Sequence, residues 1–112
     1  MLSPAVVLAL AWRRKSEELY LNFWNVPMDD VRRSRPGIYY ASVKLINNKK
    51  VLIVGLDTRY FRSNIQRVKG VHLPNLEPSA TILGTEQWAW LKKTLEIDHD
   101  LLILASSIQV IP

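Results

Sequence analysis

Two stretches of the chain are apolar without interruption: Val-Leu-Ile-Val-Gly-Leu at 51–56 and Leu-Leu-Ile-Leu-Ala at 101–105. Runs of this length, with no polar residue at alternate positions, predict strands covered on both faces, as in the middle of an α/β sheet. Residues 38–46 are rich in β-branched and aromatic side chains and predict a further strand. Asn47-Asn48-Lys49-Lys50 then predicts a hairpin turn into 51–56, because asparagine tolerates positive φ. Helical spacing is clearest at 16–25. Ser16 is placed to cap, Glu17 and Glu18 suit the first turn, and Leu19/Phe23 and Tyr20/Trp24 lie four apart. Pro27 is expected to end this helix. A second helix is predicted after Thr85 as cap, with Glu86 in its first turn. Trp88, Leu91 and Leu95 would form its apolar stripe, and Lys92 and Lys93 would point away. Residues 28–37 form a polar connection ending in the turn signal Arg35-Pro36-Gly37. From Tyr60 to Ala80 no period is visible. Pro74, Pro78 and Gly70 punctuate this stretch, and it reads as a long loop.

This order gives the α/β class, with a β-hairpin followed by a strand–helix–strand unit. Strands 51–56 and 101–105 make a right-handed βαβ crossover if they lie parallel in one sheet. Their carboxyl ends would then share an edge, and ligands of open α/β sheets bind at that edge. Asp57 and Arg59 would approach Ser106, Ser107 and Gln109 there. An acid at a strand exit also suits a simpler role, accepting a backbone N–H at the turn and pairing with an arginine.

Composition narrows the function. A chain of 112 residues holds one domain at most. Its 48% hydrophobic and 22% charged residues are those of a globular protein. With no cysteine, neither a disulfide scaffold nor a thiolate metal site can form within it. The formal net charge is +5, concentrated partly at Arg13-Arg14-Lys15 and Arg32-Arg33-Ser34-Arg35. Such clusters can hold phosphates, but no base-stacking or groove-reading motif accompanies them, so no nucleic-acid partner is expected. The apolar start, residues 1–12, is shorter than the roughly 20 residues a bilayer span needs. It is open to three readings: a weak export signal, a buried strand, or an arbitrary start within a longer reading frame. The basic triplet follows the apolar run, the reverse of the export pattern, and the last reading is preferred because this start matches nothing in the resemblance carried by the later segments.

Candidate chemistry is sparse. Asp98, His99 and Asp100 are consecutive, and the other histidine, His72, lies in the long loop. Metal ligands must converge from separate elements, so Asp98-His99-Asp100 reads as a polar loop at the amino end of the last strand. Ser106 and Ser107 have no histidine base in evident reach, and the nucleophile-elbow pattern is missing. Arg59 and Arg62 carry forked donors that suit a phosphate, while the phosphate-binding glycine loop of nucleotide folds is missing.

Three segments together carry a resemblance. They are Leu56-Asp57-Thr58-Arg59-Tyr60-Phe61-Arg62-Ser63, Ile82-Leu83-Gly84-Thr85-Glu86-Gln87-Trp88-Ala89-Trp90-Leu91 and Ser106-Ser107-Ile108-Gln109-Val110. In order and spacing the chain resembles the alkaline phosphatase D (PhoD-like) metallophosphatases over about residues 16–112, and Arg32 to Tyr39 also fits; residues 1–15 match nothing there. The resemblance implies part of an α/β/β/α metallophosphatase sandwich. It implies a phosphomonoesterase or phosphodiesterase acting on a phosphate ester through calcium and iron, in a secreted or periplasmic setting. Asp57 and Arg59 match the family's strand motif and are expected to support the active edge. Arg59 and Arg62 become the phosphate-binding candidates, and Gln87, Trp88 and Trp90 match a motif expected to pack. The family's Asp- and His-rich metal blocks before the first motif and after the last have no counterpart here. The expectation is therefore an internal fragment of the catalytic domain, binding no metal and inactive as an isolated chain. The alternative is a small basic module that binds an anionic or protein partner through its arginines.

Overall fold

The computed structural model describes residues 3–63, 66–73 and 75–109. The chain divides into two compact units, Met1–Ile38 and Tyr39–Pro112.

In the first unit, helix α1 runs from Pro4 to Phe23, a full twelve residues earlier than the capping signal at Ser16 predicts. Proline is well suited to a first helical turn, where its missing N–H would have had no partner, and its φ is already helical. Alanine and leucine then favour helix through the stretch for which a strand or an export signal was weighed. No helix among the described residues is long and apolar enough to cross a membrane. The stop also lies earlier than Pro27. Asn25 adopts φ +53°. Its N–H bonds the carbonyl of Asn22 at 3.1 Å, and the N–H of Val26 bonds that of Leu21 at 3.0 Å. These two bonds are the Schellman arrangement, so asparagine in the left-handed region ends the helix before proline is reached.

The polar connection contains one 3-10 turn, Val31–Arg33, capped by Asp30. The second basic cluster is largely committed internally. Arg32 grips Asp30 with two side-chain bonds of 2.9 Å. Arg33 donates to Asn22 Oδ1 at 2.7 Å and to the carbonyl of Val26 at 2.6 Å, which adds a cation at the carboxyl end of α1. Arg14 bridges Glu17 Oε2 and the carbonyl of Arg35, each at 2.7 Å.

The second unit is built on a three-stranded sheet of order β1-β2-β5, with β1 Tyr40–Ile46, β2 Lys49–Gly55 and β5 Leu101–Ala105. The β1–β2 hairpin pairs Ile46 with Lys49 across Asn47 and Asn48. Their φ values of +50° and +61° make the two-residue turn whose twist matches the strands. β2 and β5 are parallel, with Val51 opposite Leu101 and Gly55 opposite Ala105. Helix α2, Thr85–Thr94, connects them. The long connection after β2 is not wholly irregular. It holds a small antiparallel pair, β3 Gln66–Val68 and β4 Val71–Leu73, turned by Lys69 and Gly70 at φ +49° and +80°.

Leu52 and Val54 point to one face of the sheet and pack with Leu83 and Leu91, beside the partly buried Leu56 and Trp90. This is the core of the unit. Two expectations about burial are corrected. The buried residues of α2 are Gln87, Leu91 and Thr94, not Trp88, Leu91 and Leu95. The helix is rotated so that its polar glutamine faces inward, for a reason given below. β5 is exposed along its whole length, because among the described residues it pairs on one side only. An apolar strand is buried by its neighbours, and among the described residues only β2 has a strand on both sides.

Thr85 opens α2 but does not cap it. The cap position is Gly84, at φ +80° and ψ 159°, with no side-chain bond. A Cβ there would stand 2.8 Å from Cβ of Phe61. Replacing Gly84 with alanine is expected to destabilise the unit by more than about 2 kcal/mol, since both the backbone region and the space exclude a side chain. Urea denaturation will show this as a lower midpoint.

Asp30 gives a second prediction. The side-chain bond from Arg32, and then the N–H of that residue, lower its pKa to about 2. The stabilisation is complete above the unfolded carboxylate value of about 3.9 and is lost as pH falls toward 2. Asp30→Asn should flatten the pH dependence of stability in that window and lower stability by a constant amount above about pH 5, read from denaturation midpoints across pH.

Candidate functional site

The parallel pairing of β2 and β5 brings their carboxyl ends to one rim. The N–H of Leu56 bonds the carbonyl of Ala105 at 2.9 Å, one step beyond the paired residues. The next residues of each strand are Asp57-Thr58-Arg59 and Ser106-Ser107, and the hydroxyls of Thr58 and Ser107 hydrogen-bond each other.

Asp57 is 6% exposed, and its carboxylate is occupied. Oδ1 accepts the N–H of Arg59 and of Tyr60, both at 2.9 Å, which turns the chain sharply away from the strand. Its backbone is held just as firmly. Gln87, 0% exposed, accepts the N–H of Asp57 through Oε1 at 2.8 Å. It returns Nε2 to the carbonyl of Asp57 at 2.8 Å, and also to that of Leu83 at 3.0 Å. A buried amide with every bond satisfied is a specific lock. It explains the rotation of α2: the glutamine must meet the end of β2, so Trp88 swings outward and is 48% exposed.

The other rim residues differ in role. Ser106 closes its own turn, donating to the carbonyl of Ile108 at 2.8 Å and accepting the N–H of Ile108 at 3.3 Å. Gln109 and Arg59 are exposed. Arg62 lies beside an open cavity of about 580 Å³, lined also by Thr58, Ser63, Asn75, Thr81, Trp88 and Ile108. Ser63 and Thr81 fasten the two ends of the β3–β4 loop. The N–H of Ser63 bonds the carbonyl of Thr81 at 2.7 Å, and Ser63 Oγ accepts the N–H of Thr81 at 2.9 Å. Sequence reasoning did not single out Thr58, Ser63 or Thr81, and it placed Gln87 and Trp88 in packing. Residues separated by 18 or 49 positions carry no local signal of their pairing.

At the opposite rim, Asp98 and Asp100 fasten strand starts. Asp98 Oδ2 meets Lys50 Nζ at 2.7 Å, and Asp100 Oδ2 accepts the N–H of Lys50 at 2.8 Å. The N–H of Asp100 returns to the carbonyl of Lys50 at 2.8 Å. The ammonium holds the Asp98 carboxyl below its usual range. Among the described residues no group of three or more His, Asp or Glu side chains converges to hold a metal ion. Asp57, the one acid at the carboxyl rim among the described residues, has its Oδ1 engaged by two backbone donors. The described residues therefore do not fit a calcium or iron cage.

Comparison with family models, with curated proteins and with solved structures finds no match to this chain.

Gln87→Leu is expected to destabilise the second unit by about 2–4 kcal/mol, because it strands the N–H and carbonyl of Asp57 in a buried setting. Arg59→Ala, at an exposed position, should shift stability by less than about 0.5 kcal/mol. Chemical denaturation of both variants provides the comparison.

Proposed function

We propose that residues 51–109 form part of the catalytic domain of a PhoD-like phosphoester hydrolase, contributing the phosphate-facing rim and not the metal cage. The observation that carries this reading is the meeting of two distant motifs. Leu56-Asp57-Thr58-Arg59 and Ser106-Ser107-Ile108-Gln109 leave parallel neighbouring strands at one edge and join through Thr58 and Ser107. The helical motif between them supplies Gln87, which fastens the first of the two. In this reading the role of Asp57 is to shape the turn that presents Arg59, and the exposed guanidinium of Arg59 meets the phosphate oxygens.

The layers also support the reading. α2 covers the sheet face that carries Leu52 and Val54. The register sends Val51, Ile53, Leu101 and Ile103 to the other face beside Ser42 and Lys44 of β1; Val51 is buried there, and Leu101 and Ile103 are 54% and 46% exposed. A helix on one face, with exposed Leu101 and Ile103 on the other, is compatible with one half of the α/β/β/α sandwich that the resemblance implies. Because no metal cage fits the described residues, no hydrolytic step is assigned to this chain by itself.

A chimera tests the proposal. Residues 51–109 replace the corresponding segment of an active PhoD-like phosphatase, and hydrolysis of bis(4-nitrophenyl) phosphate is followed with and without chelator. Chelator-sensitive turnover within about tenfold of the parent is expected, and Arg59→Ala in the chimera should lower it by about 10²-fold. A folded chimera without turnover, or one indifferent to Arg59, would reject the assignment.

A further inference from the structure

The cavity beside Thr58 combines one cation with several large apolar side chains that remain open to solvent. Trp88, Ile82, Ile108 and Leu73 line it and are 48%, 47%, 45% and 39% exposed. They come from four separate places: the body of α2, the segment before it, the turn after β5 and the end of β4. Isolated exposed apolar residues are ordinary, but four converging on one concavity mark a binding surface. Arg62 is the one charged side chain in the lining, and among the described residues it makes no ion pair. The volume of about 580 Å³ falls within the range of small-molecule sites. The walls are tied in place by the Ser63–Thr81 bonds, by Gly84 N–H to Thr81 Oγ1 at 3.1 Å and by the Thr58–Ser107 pair. The site is therefore framed before a ligand arrives.

We propose that this cavity binds phosphate monoesters of aromatic alcohols. Trp88, with Ile82 and Ile108, receives the ring, and Arg62 pairs with the phosphate. A single guanidinium at the wall of an otherwise neutral, largely apolar cavity selects an anion with a flat apolar body over a free inorganic ion. A ring can stack on the indole or meet it edge-on, gaining energy beyond the area it covers. The guanidinium offers two parallel N–H donors to a phosphate. The choice of phosphate over other anions rests on the phosphoester reading above. The cavity and its apolar and cationic partition do not.

Binding to the purified full chain, without added metal, tests this by calorimetry with phenyl phosphate, phenol, inorganic phosphate and benzoate. Phenyl phosphate is expected to bind at least tenfold more tightly than each of the other three. Arg62→Gln should weaken phenyl phosphate by about tenfold or more and leave phenol unchanged. Trp88→Ala should weaken phenyl phosphate and leave inorganic phosphate unchanged. Circular dichroism verifies that each variant is folded, and Ile82→Ser serves as a milder wall variant if Trp88→Ala is not. Equal affinity for phenyl phosphate and inorganic phosphate overturns the aromatic part of the proposal, and equal affinity for benzoate overturns the phosphate part. Indifference of folded Arg62→Gln and wall variants overturns the placement in this cavity. Binding of phenyl phosphate here alongside an inactive chimera would reject the hydrolase assignment alone. An active chimera with no such binding would reject the cavity alone.

Discussion

The side-chain amide of Gln87 answers both backbone polar groups of Asp57, and the rim is organised around that contact. A strand leaving a sheet loses its ladder, and its next N–H and carbonyl need new partners. At β2 those partners come from one fully buried side chain thirty residues away in sequence. The result is a fixed distance between the end of β2 and the start of α2. Within that fixed frame, Asp57 is free to use its carboxylate on the turn at Arg59 and Tyr60, and Thr58 is brought to Ser107. Without the amide, the strand end would have to find water where the core is closed.

The same contact sets the character of the surface. By drawing Gln87 inward, it turns Trp88 out toward the cavity, where Arg62 supplies the charge. Polar specificity inside and an aromatic side chain outside are thus two consequences of one helix orientation. The sheet shows a comparable division of labour. β2 is central and its Leu52 and Val54 are wholly buried, whereas β5, equally apolar, lies at an edge with no charge to guard it. Natural edge strands are usually short, charged or interrupted.

The local rules were legible where they act on neighbouring residues. Asn47 and Asn48 announced the hairpin, because their short polar side chains tolerate the left-handed region that this turn requires. The two apolar runs announced strands, and the sequence between them announced a helix with Glu86 in its first turn. Local rules misled at α1. Ser16 and Pro27 have the right chemistry for helix boundaries, yet the helix begins at Pro4 and stops through Asn25. A capping residue lowers the energy of a helix end but cannot stop a helix that upstream residues favour. Lys69-Gly70 turns two strands of only three residues each, too short to show a strand period in the sequence.

By itself the sequence determined the element types, the hairpin and the order strand–helix–strand, since these follow from side-chain period and turn chemistry within a few residues. Tertiary structure alone decided which apolar strand is central, which face of α2 turns inward and what meets at the carboxyl rim. Those outcomes depend on pairs such as Gln87 with Asp57 and Thr58 with Ser107. Their energies arise only after the chain has closed loops of thirty and forty-nine residues.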